Sequence, residues 1–196
     1  MRIDHLAFRV ANRKKTAQFL TKALGYRPCH RIPNGFRVDF PDKTYADCTV
    51  LVPPERKVSG MSWNYLVPIP PKIKVEKNGY QADQGDLQEY QIPPEIFISQ
   101  GSQGSIVDRW VQKNGNKLHH IAIQVDNIEK VKKQWEDAGF ASFASDQVLE
   151  CPGLRQIFTN PLELTGNIWE LIERQPNDNG FCQENVRNLM ISTDFY

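Results

Sequence analysis

The sequence of 196 residues lacks the features that define several large protein classes. It has 24 Lys and Arg against 23 Asp and Glu, so no excess charge of one sign is available to attract nucleic acid or an anionic membrane. No apolar run approaches the roughly 18 residues of a membrane-spanning helix, and an alternating pattern begins at once, without an apolar signal segment. We therefore expect a cytoplasmic globular protein that binds neither nucleic acid nor membranes.

Cysteine and histidine are both scarce. The cysteines lie far apart, without a Cys-x-x-Cys pair: Cys29, Cys48, Cys151 and Cys182. This spacing offers neither a zinc knuckle nor a redox motif, and it favours reduced, mostly packed thiols. The histidines are equally few: His5, His30, His119 and His120. Any chemistry that uses imidazole must therefore draw on these positions.

The chain contains an internal repeat. Residues 3–12 align without gaps on residues 118–127, and His, Ala, Val and Asn coincide in the two segments. Each segment alternates like a half-buried strand and ends in a helix-start signal. The similarity continues where residues 35–40 resemble residues 153–158. The repeat therefore predicts two units with the element order β-α-β-β-β.

Two such units predict an α+β fold in which two βαβββ modules pair into a curved mixed sheet that encloses a site. Seven of the thirteen prolines fall between the modules, which excludes a continuous helix or a central strand there and indicates a surface loop, a lid or an oligomer contact. The last strand of the first module is ambiguous, since residues 48–52 fit by spacing and residues 95–98 fit if an insertion intervenes. We expect one domain, 1–196, in this order: module 1–52 (or closing at 95–101), insertion 53–94, linking helix 102–117, module 118–175 and C-terminal helix 176–196.

Three residues of the repeat point to a metal site. His5 and His120 occupy the same position of the two repeated strands, so a pseudo-twofold axis would bring their imidazoles together. Glu170 lies on the last strand of the second module and shares one side of it with Ile168 and Ile172. A carboxylate between apolar neighbours needs a partner, because its unpaired burial costs on the order of several kcal/mol. Two His and one carboxylate with open positions is the set favoured by non-haem Fe(II).

Other candidates are set aside on the same grounds. Strand alternation directs His119 to the face opposite His120, and His30 has no counterpart in the repeat. Glu173 projects from the other side of its strand than Glu170 does, so it is expected to be solvated. We predict that none of these three is a metal ligand.

The repeat, the His-to-Glu spacing and the Trp-Glu-Leu-Ile-Glu-Arg ending resemble the vicinal oxygen chelate superfamily, which includes glyoxalase I, methylmalonyl-CoA epimerase and extradiol dioxygenases. The motif order is most similar to the C-terminal, catalytic half of 4-hydroxyphenylpyruvate dioxygenase, through residues 3–6, 118–122, 154–159, 170–174 and 179–185. The resemblance spans nearly the whole chain except the insertion. It implies a dioxygenase that uses O2 and a 2-oxo acid or related small aromatic substrate, with Fe(II) held by His5, His120 and Glu170.

The resemblance also implies residues that bind the substrate. Gln156 would hydrogen-bond the substrate and act in catalysis, and Phe181 would face an aromatic ring. Ser105 lies where the family has a substrate-binding Gln, and Asn185 lies in a C-terminal motif that departs from the family pattern. The family's N-terminal half has no counterpart in this sequence, so we expect a homodimer in its place.

Two other functions fit the same sequence. A lyase or isomerase would use Mn, Co, Ni or Zn to polarise a carbonyl, and such enzymes commonly take a fourth ligand from the first module. Cys48 or Thr49 falls there by strict spacing, and Glu95 falls there if the insertion intervenes. A metal-free, resistance-type protein that binds a small molecule is the third possibility. A site with three ligands favours oxygen chemistry.

Overall fold

The computed structural model describes residues 2–53, 57–58, 61–62, 74–76, 79–81, 94–175 and 180–194, and side chains outside 54–93. The expected role of the 53–94 insertion as a lid or contact therefore lies almost entirely outside the described residues. The elements are, in chain order: β1 Arg2–Arg9, α1 Arg13–Leu24, β2 Arg27–Pro28, β3 Phe36–Asp39, β4 Tyr45–Val52, β5 Lys57–Val58, β6 Met61–Ser62, β7 Lys74–Glu76, β8 Gly79–Gln81, β9 Glu95–Gly101, α2 Ile106–Asn114, β10 Lys117–Gln124, α3 Ile128–Asp137, β11 Leu149–Cys151, β12 Leu154–Phe158, β13 Ile168–Arg174 and α4 Gln183–Ser192.

One open mixed sheet forms the frame. Its strand order is β11-β12-β13-β10-β1-β9-β4-β2, and β3 also pairs with β4. The central pair, β1 and β10, is antiparallel, and each of these strands has a parallel neighbour, β9 for β1 and β13 for β10. Separately, β5 pairs with β6 and β7 with β8. The predicted α+β fold of two repeated modules is confirmed.

The two repeated strands enter their helices in the same way. The side chain of Asn12 accepts a hydrogen bond from the Lys15 backbone N–H, and Asn127 does the same with Lys130. These N-caps satisfy backbone donors that the first helical turn leaves free. The coincident asparagines of the repeat therefore have one structural role in both halves.

The structure identifies the last strand of the first module. β9 lies next to β1, as β13 lies next to β10, and β4 lies one strand further out. Residues 95–101 thus occupy the place of the last strand, because only a parallel neighbour of β1 repeats the arrangement of the second half. The outcome matters for the site, since β9 faces the same space as the ligand-bearing strands.

The helices cover opposite faces of the sheet. Leu20 of α1 packs with Leu51 and Ile98, and α3 packs through its own buried residues on β10, β12 and β13. On the other face, Val107 of α2 and Met190 of α4 join the cluster that contains β1, β4 and β9 residues. The space between the sheet and α4 is therefore the one into which the repeated histidine strands point.

The linking helix α2 and the C-terminal helix α4 are both shorter than the sequence predicts. α2 begins after Ser105, whose side chain accepts from the Asp108 backbone N–H, and it ends at Gly115 with φ 75°. α4 covers Gln183–Ser192, whereas residues 176–179 and 195–196 lie outside the described part of the chain. None of the helices in the described part is long and apolar enough to cross a membrane.

The expectation that all cysteines are reduced is wrong for one pair. Cys151 of β11 and Cys182, which precedes α4, form a disulfide across a sequence separation of 31 residues. Their Cα atoms are 6.4 Å apart because the start of α4 lies against β11. Cys29 and Cys48 are free and buried, as expected. The disulfide fixes the beginning of α4 beside the sheet.

Candidate metal centre

The two histidines and the glutamate lie together in the interior. His5 on β1, His120 on β10 and Glu170 on β13 come from three neighbouring strands. The Nε2 atoms of the histidines are 3.2 Å apart, and each is 3.2 Å from Glu170 Oε2. Candidate ligand atoms of the three lie within 4.8 Å of one another, and the three residues are 2%, 8% and 1% exposed. Two imidazole nitrogens and one carboxylate at this spacing fit a divalent cation.

Strand register explains the convergence. In the antiparallel pair, His5 lies opposite Ala122 and His120 lies opposite Ala7. Ala122 also lies beside Glu170 in the parallel pair. Because each imidazole faces an alanine rather than a larger side chain, there is room for both rings on one face of the sheet. The repeat thus provides both the position of the histidines and the space for them.

The buried carboxylate of Asp4 contacts Nδ1 of His5, the ring nitrogen that faces away from the triad. Asp4 Oδ1 lies 2.8 Å from His5 Nδ1, and both Asp4 oxygens accept hydrogen bonds of 3.0 Å from Arg174. Regular alternation would turn Asp4 away from the site, but the register of β1 shifts between Ile3 and His5, which leaves Asp4 in a bulge. A carboxylate that orients a metal-binding imidazole in this way fixes its tautomer and its direction.

His120 has a neutral partner instead. Its Nδ1 lies 2.9 Å from His119 Nδ1. The prediction that His119 points away is wrong, because the register of β10 against β1 shifts between Ala7 and Phe8 and omits His119, so this residue also lies in a bulge. His119 is 4% exposed and lines the same cavity as the triad. It is a neighbour of a ligand candidate and not part of the triad.

The two histidines of the triad differ in charge. Burial lowers the pKa of His5, but Glu170 and Asp4 outweigh it and raise the pKa to about 9. Burial dominates at His120 and lowers its pKa to about 4. Burial would raise the pKa of Glu170, yet the two histidines bring it to about 2. At neutral pH without a cation, the centre therefore holds a protonated His5, a neutral His120 and an ionised Glu170.

Two of the predicted substrate residues contact the triad or its support. Gln156 on β12 is 1% exposed, and its Nε2 donates a 2.5 Å hydrogen bond to Glu170 Oε1. The amide of Asn185 on α4 donates to Gln156 Oε1 at 3.1 Å. Asn185 thus acts through Gln156, and both ends of the Gln156 amide are engaged within the protein. Gln156 lines the cavity beside the triad.

Aromatic rings form one wall of the cavity. Phe181 lies 5.1 Å from His5 and 5.2 Å from Phe97 between ring centroids. Phe158 approaches His120 at 4.6 Å. The cavity is small, about 30 Å³, and is partly open to solvent. This volume has room for a metal ion and a water, so a substrate requires the surrounding side chains to move. Ser105, the remaining substrate candidate, is buried at the start of α2, outside this lining.

Within the described part of the first half, no residue joins the triad as a fourth ligand. Ala7 pairs with Phe97 in the same way that Ala122 pairs with Glu170, so Phe97 occupies the position equivalent to Glu170. Glu95 lies two residues earlier, where burial and the charge of Asp4 raise its pKa to about 7. Cys48 and Thr49 lie on β4, where the Cys48 carbonyl and the Thr49 hydroxyl accept hydrogen bonds from Arg13. Among the described residues, none of these three joins the triad.

The other candidates that the sequence analysis set aside lie elsewhere. His30 is exposed in a turn after β2. Glu173 Oε2 accepts a 2.7 Å hydrogen bond from the Ile128 backbone N–H at the start of α3, on the opposite face of the sheet. The residues that sequence reasoning missed are Asp4 and Arg174. The alignment of Asp4 with His119 in the repeat was the available signal for Asp4.

Comparison with known proteins supports the architecture. The family model described as Glyoxalase/Bleomycin resistance protein/Dioxygenase superfamily matches residues 4–149. A hypothetical protein from Bacillus halodurans is similar in structure, with TM-score 0.55, 18% identity and coverage of 90% of this chain and 96% of that one. Methylmalonyl-CoA epimerase from Mycobacterium tuberculosis has TM-score 0.54, 15% identity and coverage of 89% and 88%.

A mutant of 4-hydroxymandelate synthase from Streptomyces coelicolor is also similar, with TM-score 0.65 and 16% identity. The match covers 98% of this chain and 53% of the synthase, so the chain spans about half of that enzyme. No curated protein matches the sequence. At these identities the likenesses concern the fold alone.

Proposed function

Because the chain belongs to the glyoxalase/bleomycin resistance protein/dioxygenase superfamily, we propose that it is a non-haem Fe(II)-dependent dioxygenase acting on a 2-oxo acid or a related small aromatic substrate. One observation carries the proposal: the centre offers two imidazoles and one carboxylate, and Phe97 stands where the repeat would place a second carboxylate. Three protein ligands leave positions for substrate and O2, as in Fe(II) oxygenases.

His5, His120 and Glu170 would hold the cation. Bound Fe(II) would supply the redox chemistry that activates O2 and the Lewis acidity that binds the substrate's oxygens. Asp4 and His119 accept hydrogen bonds from the Nδ1 side of the ligand histidines and so keep each Nε2 directed inward. Gln156 fixes one oxygen of Glu170, which leaves Oε2 directed toward the histidines.

The remaining residues position the substrate. Phe181, Phe97 and Phe158 line the space beside the triad and would limit the access of water to a bound substrate. A planar substrate would pack against Phe181. Gln156 would contact the substrate by exchanging one of its present hydrogen bonds. Asn185 would act through its hydrogen bond to Gln156. Ser105 would act by capping the start of α2.

A lyase or isomerase is the second candidate, and the structural similarity to methylmalonyl-CoA epimerase favours it. The same triad would then hold Mn, Co, Ni or Zn, and Glu170 would be the carboxylate nearest to a substrate proton. The two reactions differ in the consumption of O2, so a direct measurement separates them.

The experiment is metal analysis of anaerobically purified protein, followed by oxygen uptake with aromatic and aliphatic 2-oxo acids. The expected result is nearly stoichiometric iron and substrate-dependent oxygen uptake. Glu170→Ala should lose both the iron and the oxygen uptake, and Glu173→Ala is its matched control, because Glu173 lies on the same strand and outside the cavity. Metal without oxygen uptake would contradict the dioxygenase and favour the isomerase, and a protein that holds no metal after reconstitution would favour a resistance-type binding protein.

The proposal includes a homodimer in the cytoplasm. Sedimentation of the metal-loaded protein tests the assembly, and a single species at the mass of one chain, 22.6 kDa, would contradict it.

A further inference from the structure

A buried arginine lies in the wall of the same cavity. Arg9 is 2% exposed and follows His5 and Ala7 on one face of β1. One end of its guanidinium donates a 2.9 Å hydrogen bond to Thr193 Oγ1, and its carbon lies 5.5 Å from the Trp110 ring. The other nitrogen, NH1, is buried and has no hydrogen-bond partner within the described part of the chain.

The charge of Arg9 has no direct counterpart. Burial lowers the pKa of Arg9 to about 9, which still leaves the group charged at neutral pH. Asp194 is the acidic residue whose charge favours the charged form of Arg9, and it is ion-paired with Arg109 at 2.5 Å. No carboxylate among the described residues forms a salt bridge with Arg9. A buried cation without a partner is costly, and an apolar side chain of similar volume is commonly more stable there.

A second buried donor without a partner belongs to His119, another residue of the cavity wall. If His120 Nε2 faces a cation, the proton of its neutral ring is on Nδ1, which donates to His119 Nδ1. The proton of neutral His119 is then on its Nε2, an atom that is buried and has no partner in the described structure. The Trp110 ring lies 5.2 Å from the His119 ring and 5.5 Å from the Arg9 guanidinium carbon, so both side chains pack against it.

The chemistry of this region selects its ligand. It offers one positive charge, N–H donors from two side chains and an apolar approach past Phe158, Leu189 and Met190. Arginine pairs well with carboxylates, and a single charge matches a carboxylate better than a phosphate dianion. Arg9 also lies four residues along β1 from His5, about 13 Å at the 3.3 Å rise of a strand, so a ligand that contacts both a cation and Arg9 must be elongated.

We propose that Arg9 and His119 form a carboxylate-binding subsite, and that the substrate is a small acid with an apolar middle and a second carboxylate at the end remote from the metal. The assignment of the first end to the metal rests on the proposed function. The Arg9 subsite itself does not depend on which reaction follows. It narrows the substrate class from 2-oxo acids in general to those with two acidic ends.

The test measures binding without turnover. Calorimetric titration under anaerobic conditions compares matched acids, phenylpyruvate with its 4-carboxy derivative and 2-oxohexanoate with 2-oxoadipate, on metal-free and Fe(II)-loaded protein. We expect at least one dicarboxylate to bind at least about tenfold more tightly than its partner, in line with a hydrogen bond to a charged group. Inorganic phosphate serves as the competing anion and should displace the dicarboxylate poorly.

Arg9→Met should abolish this preference while leaving the melting temperature equal or higher, and Arg9→Lys should restore part of it. Arg37→Met is the control, because Arg37 is half-exposed and pairs with Asp47 on the surface. Equal preference in wild type and Arg9→Met, a fall in melting temperature without a change in preference, or no saturation by any dicarboxylate would overturn the proposal. If the preference holds but no oxygen is consumed in the separate uptake assay, only the proposed reaction is wrong.

Discussion

The two halves of the sheet repeat one strand order and contribute unequally to the centre. The second half provides His120, Glu170 and Gln156, whereas the first half provides His5 and has Phe97 at the position equivalent to Glu170. The repeat therefore determines where ligands can be, and single residues within it determine how many there are. This difference favours a site with open positions over a symmetric site with four ligands.

The residues that support the ligands differ in the same way. Asp4 and His119 occupy equivalent bulges, and each contacts the Nδ1 atom of the histidine that follows it. One support is an anion paired with Arg174 and the other is neutral. The first half thus stabilises a positive imidazole, and the second half stabilises a neutral one.

The largest expected effect on metal affinity comes from separate substitutions at the two equivalent positions, Glu170 and Phe97. Glu170→Ala should weaken metal binding by roughly two orders of magnitude or more, because it removes the only anionic ligand. Phe97→Leu should leave metal affinity within about threefold and cost about 1 kcal/mol of stability through lost packing. Metal titration and thermal unfolding of both variants measure this. Similar metal affinities in the two variants would refute the unequal roles of the halves.

A designed symmetric site sharpens the comparison further. Phe97→Glu places a second carboxylate at the equivalent position and should reduce oxygen uptake about tenfold or more, since a fourth protein ligand occupies a position needed by substrate or O2. Metal content should stay stoichiometric. Phe97→Gln is the neutral control. Unchanged oxygen uptake in the metal-loaded Phe97→Glu variant would contradict the importance of the open position.

The supporting residues should differ by a smaller amount. Asp4→Asn should weaken metal binding about 10- to 100-fold, because it removes the negative charge behind His5 and leaves Arg174 without its ion-pair partner. His119→Gln keeps a neutral acceptor for His120 and should change the affinity by about threefold or less. Competition with a chelator gives both values. An equal loss in the two variants would show that charge at these positions does not matter.

The pH dependence should come from the first half alone. His5 has its pKa raised to about 9 and must lose its proton to bind a cation, whereas His120, with a pKa of about 4, is already neutral at pH 7. Affinity for Mn²⁺ should therefore rise about tenfold per pH unit from pH 7 to pH 9 and then level off. Calorimetry in two buffers should detect the release of about one proton, and release of none would contradict this prediction.

The metal-free protein should respond in the opposite direction. Because the folded pKa of His5 lies above the ordinary value of 6.5, its protonation stabilises the fold fully below about pH 6.5, and this stabilisation disappears as the pH rises through about 9. Unfolding in denaturant across this range checks the sign. Glu170→Gln removes one partner of the charged imidazole and should flatten the dependence.

The sequence predicts most of the fold and the triad because both depend on short repeated patterns. The gap-free alignment around His5 and His120 and the alternation around Glu170 are local signals, and the structure brings these three residues together. The position of β9 could not be chosen, since residues 53–94 separate it from β4. Phe97 as the counterpart of Glu170 required strand pairing, which no local pattern shows.

Two errors of the sequence analysis have different causes. Strand alternation assigned His119 to the wrong face because a bulge reverses the direction of one residue, and bulges have no reliable sequence signal. The Cys151–Cys182 disulfide was missed because the contact between β11 and α4 depends on the complete fold. The bulge at His119 lies beside the cavity, where an interruption of the regular strand positions a functional group.

The antiparallel contact between β1 and β10 is the seam that joins the two halves, and the ligands lie on both sides of it. An ion bound by His5, His120 and Glu170 would therefore link segments that are more than a hundred residues apart in the chain. Separation of the halves would release the ion, so a bound ion stabilises the joined halves by mass action. The loaded protein should therefore unfold more slowly than the metal-free protein.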